Sequence, residues 1–340
     1  MRNLRHHIGL LVTLPAALAI NPSADPVRVA GFPPAATGTA CLDGCFGAFL
    51  RRLVPTPAAY AEARLIGVEV AAALRATLDP KATADIVDHV ISGSVGKRTA
   101  IAPISMVDVL YALPARFTTP RSADALKIVQ AVLHQQFGAA AIAPDQSGII
   151  VVRGTTAVKV WPARLQDGGF LMPGAATLER ASGWAVTNPI AEAATLRLSD
   201  SLYGGRPRLL LAALKSWRRH QDVMISSFGL EMLVQEFYAS GPRAYALDKA
   251  LTEFWAWMRS RAGTTVRPPG GRSMMDLGDA WRGKAKAAYW RATLAEHHLK
   301  ESRLVEAAVE WRQALGVPFP VPGERPLKVL PLFKKTATAP

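Results

Sequence analysis

A small-residue turn between two apolar runs, within residues 90–113, constrains the fold of this chain more than any other stretch. The first apolar run enters the turn at Gly93, and the second, which follows the turn, carries one acid, Asp108. This pattern predicts a strand, a turn and a second strand. Gly93 and Gly96 allow backbone N–H groups to approach an anion. Ser94 adds a hydroxyl and Lys97 a positive charge, which is typical of a nucleoside triphosphate cradle, although a plain hairpin connection has the same pattern.

The turn is the first of three motifs whose order along the chain is similar to that of a known family. The motifs are Gly93-Ser94 with Val107-Asp108-Val109-Leu110, then Val158-Lys159-Val160-Trp161-Pro162-Ala163, then Leu214-Lys215-Ser216-Trp217 with Ser226-Ser227-Phe228-Gly229-Leu230-Glu231. In these motifs the chain resembles the bacterial CD-NTases, which are cyclic-oligonucleotide synthases related to the oligoadenylate synthases. The resemblance extends over about residues 45–315.

The resemblance implies an α+β fold with two lobes. One is a polymerase-β-like nucleotidyltransferase lobe, in which helices flank a mixed sheet, and the other is an α-helical C-terminal lobe. It also implies nucleoside triphosphates as ligands and a cytoplasmic location. The nucleotide-binding residues that it implies are Gly93, Ser94, Lys97, Lys215 and Ser227.

The acidic positions are where this chain departs from the family. Such enzymes carry an acid two residues before the one matching Asp108 and another on the later strand, but Met106 and Lys159 stand here. Nucleotidyl transfer usually uses two divalent cations held by carboxylates. A thioether is a poor Mg²⁺ ligand, and an ammonium repels a cation. The resemblance therefore implies a degenerate triad in which Asp108 is the one retained catalytic acid and metal ligand, with Mg²⁺ needed only if the protein is active.

Lys159 has two interpretations. In the first, its ammonium pairs with Asp108 across the two strands and stands where a metal would, so that it touches triphosphate oxygens directly. In the second, the side chain reaches out to solvent from a strand that has lost its function. An active enzyme would need another acid beside Asp108, and Asp145 and Asp167 are the nearest candidates in sequence.

Composition indicates a polyanion-binding surface. The 340 residues include 40 Lys and Arg against 26 Asp and Glu, a net charge of +14. Such a surface attracts nucleotides or nucleic acid, although simple solubility explains it as well. Arg218 and Arg219 beside Lys215 indicate, on spacing alone, a solvated helix face. Cys41 and Cys45 are too few for a disulfide framework and supply only half of a zinc site.

The N-terminal residues 1–43 resemble a secretory signal, because a basic start precedes an apolar run and a segment rich in Pro, Ala and Gly. The apolar run is too short to cross a bilayer as a helix, so no stable membrane span is expected. Because nucleoside triphosphates are cytoplasmic, a loosely ordered extension or a start assigned too early is favoured over export.

Periodicity predicts the remaining organisation. Helices are predicted from Cys45 to the break at Pro55, and then over 58–78, 121–137 (with Ser122 as N-cap), 189–203, 208–221, 227–240, 245–261 and 277–315. Two strands are predicted at 148–153 and 156–163. The predicted division is an extension at 1–43, the nucleotidyltransferase lobe at 44–180, the helical lobe at 181–325 and a tail at 326–340.

Three functional hypotheses follow. The favoured one is a catalytically degraded CD-NTase that still binds nucleotide and acts as a sensor or regulator in bacterial antiphage signalling of the CBASS type. The second is an active cyclic-oligonucleotide or oligonucleotide synthase with an unconventional metal site. The third is a module that binds RNA or a protein partner through its basic surface.

Overall fold

The structure is a computed structural model that describes residues 42–81, 88–117, 119–145, 147–166, 168–174, 182–241, 246–271 and 274–324. The N-terminal extension to residue 41, including Cys41, the candidate acid Asp167 and the tail at 326–340 lie outside the described residues. None of the described helices combines the length and the hydrophobicity needed to cross a membrane.

Ten α-helices, three short 3-10 helices (Ala115–Phe117, Ala139–Ala141 and Arg259–Arg261) and nine strands are found in the described residues. The helices are α1 (Leu42–Leu53), α2 (Pro57–Leu78), α3 (Gly93–Gly96), α4 (Ser122–Phe137), α5 (Pro189–Leu202), α6 (Arg206–His220), α7 (Ser227–Ala239), α8 (Leu247–Met258), α9 (Arg282–Lys300) and α10 (Leu304–Leu315). The strands are β1 (His89–Ser92), β2 (Met106–Ala112), β3 (Ile142–Pro144), β4 (Ile149–Arg153), β5 (Thr156–Gln166), β6 (Gly169–Pro173), β7 (Trp184–Thr187), β8 (Thr265–Val266) and β9 (Met275–Asp276).

A mixed sheet forms the first lobe. Its strands run in the order β1-β2-β5-β4-β3, and β6 joins β5 to β7. Strands β2 and β5 are parallel, and their register places Asp108 beside Lys159. Val107 and Val109 pack into a core with α2 and α4, so Asp108, between them, lies on the opposite face because side chains alternate along a strand. Lys159 shares that face.

A second core unites α1 with the helices from α6 onward. The ring of Phe46 on α1 lies 5.0 Å from the ring of Trp311 and 4.9 Å from that of Phe319, both edge-on. Core membership therefore does not follow the predicted boundary at residue 180. Helix α1 packs with the C-terminal helices, while β7, which follows the boundary, still pairs with the sheet.

The predicted fold class is confirmed, and three local differences have physical causes. The predicted helix at 277–315 is two helices, because Ser302 between α9 and α10 takes a left-handed φ of 60°. Ser122 is the first residue of α4 rather than its cap, since Arg121 before it has the extended φ and ψ of −111° and 137° that mark the N-cap. Strands β6 and β7 were not predicted, because each is a short segment without clear alternation.

The close approach of β1 and β2 makes Gly93 a sensitive position. Gly93 and Gly154 have left-handed φ values of 57° and 64°, but a Cβ at Gly93 would overlap the Asp108 carboxylate, whereas no atom lies within 4 Å of one at Gly154. We expect Gly154→Ala to cost about 1 kcal/mol of unfolding free energy. Gly93→Ala should cost about 1–3 kcal/mol more. Urea denaturation measures both, and equal losses would contradict this packing.

Candidate functional site

A cleft of about 320 Å³ lies between the two lobes. The segment before β2 forms one wall, and the end of α6 with the start of α7 forms the other. The polar and charged residues that line it are Ser94, Ser105, Lys215, Arg218, Arg219, Asp222 and Ser227, and the thioether-bearing Met106 lines it as well. The structure thus brings Ser94, Lys215 and Ser227, which the sequence places far apart, to one cleft.

The Gly-Ser turn forms the single helical turn α3. The carbonyl oxygen of Ser94 accepts hydrogen bonds from the N–H groups of Thr99 at 2.8 Å and Ala100 at 3.1 Å. A Cβ at Gly93 would overlap Asp108, and one at Gly96 would overlap the carbonyl oxygen of Ile91. Close packing therefore leaves no room for a side chain at either glycine, in addition to the predicted role of both in letting backbone N–H groups approach an anion.

Asp108 is held by neighbours within the sheet lobe. The indole Nε1 of Trp161 donates to Asp108 Oδ1 at 3.2 Å. Burial raises the pKa of Asp108, while the Trp161 hydrogen bond and the positive charge of Lys159 act against that rise. The carboxyl group thus has a hydrogen-bond donor, but it lies in a setting that disfavours its charge.

The expectation that Lys159 pairs with Asp108 is wrong about the partner. The Lys159 ammonium forms an ion pair with Asp145 instead, and it lies 3.9 Å from the ring centroid of Trp161. Asp145 is brought there by the turn after β3, where its N–H donates to the carbonyl oxygen of Gly148 at 3.0 Å. Gly148 leaves room for the Lys159 stem, since a Cβ there would lie 2.9 Å from Lys159 Cε.

The residues around Asp108 do not fit a carboxylate metal site. Met106 offers a thioether, Lys159 an ammonium, and Asp145 is already engaged by that ammonium. Across the described ranges, no group of three or more His, Cys, Asp or Glu side chains is arranged to hold a metal ion. The donor set therefore disagrees with the magnesium chemistry that the family resemblance implies.

Lys97 has a different environment from the one that sequence reasoning gave it. Instead of facing a phosphate group, its buried ammonium lies 3.0 Å from Glu192 Oε2 on α5 and 2.7 Å from Glu231 Oε1 on α7. Its Nζ also lies 4.4 Å from the ring centroid of Phe228. Burial alone would lower the pKa of Lys97, but the two carboxylates outweigh it and the pKa is raised. Lys97 therefore joins the two lobes.

Three cations of α6 line the cleft. Lys215 Nζ donates to the Thr99 carbonyl oxygen at 2.7 Å and to its hydroxyl at 3.0 Å, and burial lowers the pKa of Lys215 to about 8 although Glu231 opposes the change. Arg218 donates to the carbonyl oxygen of Ile225. Arg219 donates to the carbonyl oxygen of Ala102 at 3.3 Å. Burial, and after it the positive charge of Arg218, lowers the pKa of Arg219.

Sequence reasoning missed Arg218 and Arg219, which it assigned to a solvated face. The signal was present, because they lie three and four positions after Lys215 on one helix and therefore share its face. Within the described part of the chain, no carboxylate lies within 4.0 Å of any of these three cations as an ion-pair partner. One carboxylate, that of Asp222, also lines the cleft. Three cations against one carboxylate leave the cleft with a net positive charge, which suits an anion.

Comparison with known proteins identifies the fold. No protein-family model and no curated protein matches the sequence, but solved structures of CD-NTases do. CdnC of E. coli MS115-1, solved with ATP, matches 81% of this chain and 98% of its own length at a TM-score of 0.64 and 14% identity. DncV cyclic AMP-GMP synthase of Vibrio cholerae matches 81% of this chain and 85% of its own length at a TM-score of 0.57 and 15% identity.

A third structure, the STING-associated CdnE c-di-GMP synthase of Capnocytophaga granulosa, matches 76% of this chain and 86% of its own at a TM-score of 0.56 and 14% identity. Identities this low establish the fold. The chain therefore has the polymerase-β-like CD-NTase fold, and the resemblance stated from the three motifs is confirmed at that level.

Removing the Lys97 ammonium should destabilise the protein strongly. Lys97→Met leaves the carboxylates of Glu192 and Glu231 buried without their partner, which typically costs about 3–5 kcal/mol. Lys127→Met is the matched control, since the Lys127 ammonium is exposed and lies 3.9 Å from Asp124; its loss should cost at most about 0.5 kcal/mol. Urea denaturation compares the two, and a Lys97→Met loss as small as the control would show that the buried contact does not join the lobes.

Proposed function

We propose that this protein binds a nucleoside triphosphate in the cleft between its lobes without a divalent metal, and that it does not carry out nucleotidyl transfer. The observation that supports this most directly is the Lys159 ammonium, which pairs with Asp145 beside Asp108 on the face where the family's acids are expected. An ammonium at that place has no lone pair to offer a metal ion, and it engages the nearest other carboxylate. Met106 adds no hard oxygen ligand.

The cleft offers its own positive charge to the ligand. One wall of the cleft carries three cations, Lys215, Arg218 and Arg219. The cleft is also lined by Ser94 and Ser227, whose hydroxyl groups can donate hydrogen bonds. Guanidinium groups bind phosphate through paired N–H donors, and an ammonium binds it as a point charge. In this proposal the three cations compensate for the charge that a metal would bring. Lys97 is outside the binding set, because its ammonium is neutralised by two carboxylates.

The proposed biological role is that of a sensor or regulator in bacterial antiphage signalling. The fold is shared with synthases of cyclic nucleotides, as DncV and CdnE illustrate. A protein with this fold that holds a nucleoside triphosphate without consuming it is suited to report or limit its supply. The alternative, an active synthase that uses Asp145 as an acid, would require Lys159 to release that carboxylate.

Isothermal titration with ATP tests the proposal. We expect the same affinity, within about twofold, in excess EDTA and in millimolar Mg²⁺, because the charges that hold the phosphates belong to the protein. Arg219→Gln should weaken ATP binding about tenfold, as expected for loss of one charge-assisted contact. Arg121→Gln, a charge removed from the start of α4 on the sheet lobe, is the matched control and should leave affinity unchanged.

Two results would contradict the proposal. One is ATP binding that appears only with Mg²⁺. The other is any oligonucleotide product after incubation of the unaltered protein with labelled nucleoside triphosphates and Mg²⁺ or Mn²⁺, which would establish the active-synthase hypothesis instead.

The affinity for ATP should fall as the pH rises through 8. The pKa of Lys215 is lowered to about 8, so its ammonium is charged below that pH and attracts phosphate, and the attraction is lost above it. Between pH 7.5 and 9, where the charge of ATP itself changes little, we expect a loss of about five- to tenfold. Lys215→Met should bind more weakly at pH 7.5 and show a flat profile. A profile identical to that of the unaltered protein would exclude Lys215 from the site.

A further inference from the structure

Helix α2 has two apolar faces, and the fold covers only one of them. Its inner face packs on the sheet, where Leu74 is fully buried. Its outer face carries a second apolar stripe, made by four exposed residues, Ala61, Leu65, Val68 and Ala72. The exposed fraction is 59% for Leu65 and 39% for Val68. A helix that is apolar on opposite sides is usually buried, but among the described residues nothing covers this outer stripe.

The spacing of the outer stripe is that of a two-stranded coiled coil. Its residues follow one another at intervals of four, three and four, which is how the a and d positions of a heptad repeat alternate. Leu65 and Ala72 then occupy a positions, and Ala61 and Val68 occupy d positions. A stripe limited to a and d is narrower than a face that packs on a sheet. It therefore fits a single partner helix.

Charged residues flank the outer stripe, with opposite signs on its two sides. Arg64 lies on one side, at a g position of the same heptad. Glu62 and Glu69 lie on the other side, at e positions. Residues at e and g decide which partner a heptad helix accepts and in which direction the partner runs.

These flanking charges are available to a partner. The half-buried Arg64 forms no ion pair within 4.0 Å in the described ranges. Burial, and after it the positive charge of Arg98, lowers the pKa of Arg64, so its guanidinium would gain from a nearby carboxylate. Glu69 contacts Arg153 at 3.6 Å, and both side chains are exposed. A surface pair of this kind contributes little and is readily exchanged for another.

The pattern of charge favours a second copy of this chain in parallel orientation. In a parallel pair of helices, the g side of one helix faces the e side of the other. Glu69 follows Arg64 by five positions, which is the offset between a g residue and the e residue of the next heptad. In an antiparallel pair, e would face e and g would face g, so carboxylates would meet carboxylates and guanidinium groups would meet each other.

We propose that two copies of this protein associate through α2, in parallel and in register, with the outer stripe as the seam. An ion pair between Arg64 of one copy and Glu69 of the other then forms on each side of the seam. Interfaces below about 1,200 Å² are typical of weak complexes, and a single helix-helix seam is of this kind, so the dissociation constant should be micromolar. No α2 residue is among those that line the cleft, so the dimer does not depend on the proposed nucleotide binding.

Sedimentation velocity of the full chain, from about 1 to about 200 µM, measures this association. We expect a monomer–dimer equilibrium. Leu65→Lys should weaken it at least about tenfold, because two ammonium groups would meet in the seam. Leu198→Lys is the matched control, since Leu198 is 61% exposed on α5, and it should leave the equilibrium unchanged. Circular dichroism confirms that both variants are folded. A monomer at every concentration, or a dimer that Leu65→Lys does not weaken, would overturn the proposal.

A charge exchange tests the parallel register. Glu69→Arg alone and Arg64→Glu alone should each weaken the dimer about tenfold, because each places like charges opposite one another on both sides of the seam. The double variant Arg64→Glu with Glu69→Arg should associate within about threefold of the unaltered protein, since opposite charges face each other again. The contact between Glu69 and Arg153 is lost in the double variant too, so its loss does not explain the recovery. A double variant as weak as the single ones would overturn the register.

Discussion

The position of the two lobes depends on one buried ammonium. Lys97 leaves the turn that follows β1 and lies between Glu192 of α5 and Glu231 of α7. Removing one partner of a buried ion pair costs far more than removing one of a surface pair, because the remaining charge is left unpaired in a low dielectric. Arg208 reinforces the contact by donating to the carbonyl oxygens of Lys97 and Arg98. The cleft exists because this stretch of chain is fixed to both lobes.

The same region shows how positive charge is divided between structure and binding. Lys97 is neutralised by two carboxylates. Lys215 instead donates to the carbonyl and hydroxyl oxygens of Thr99, two positions after Lys97 in the chain, and both of these acceptors are neutral. Burial without a neutralising partner lowers a lysine pKa, and burial with two partners raises it. The two lysines accordingly have pKa shifts of opposite sign. One serves the lobe interface and the other remains available to an anion.

The sequence predicts the strand-turn-strand unit and most helices well, because these depend on local periodicity and on glycine and proline. The family resemblance also implies that Lys159 lies across from Asp108 on a second strand, and the register of the two strands agrees with this. The sequence cannot predict that Lys159 chooses Asp145 or that Lys97 chooses Glu192, which lies 95 residues away. Such choices depend on which side chains the tertiary fold brings within reach. Arg218 and Arg219 were missed for a related reason, since an exposed-looking helix face became a cleft wall only when the lobes met.

Asp108 has a structural role that does not depend on catalysis. Its carboxyl group accepts a hydrogen bond from Trp161 and occupies the space left by the missing side chain of Gly93. Trp161 in turn provides the ring against which the Lys159 ammonium lies. Removing Asp108 would leave the half-buried indole N–H of Trp161 without its acceptor and open a gap against the turn. Packing against Gly93 and the hydrogen bond from Trp161 therefore hold the Asp108 carboxyl group in place without any metal ion.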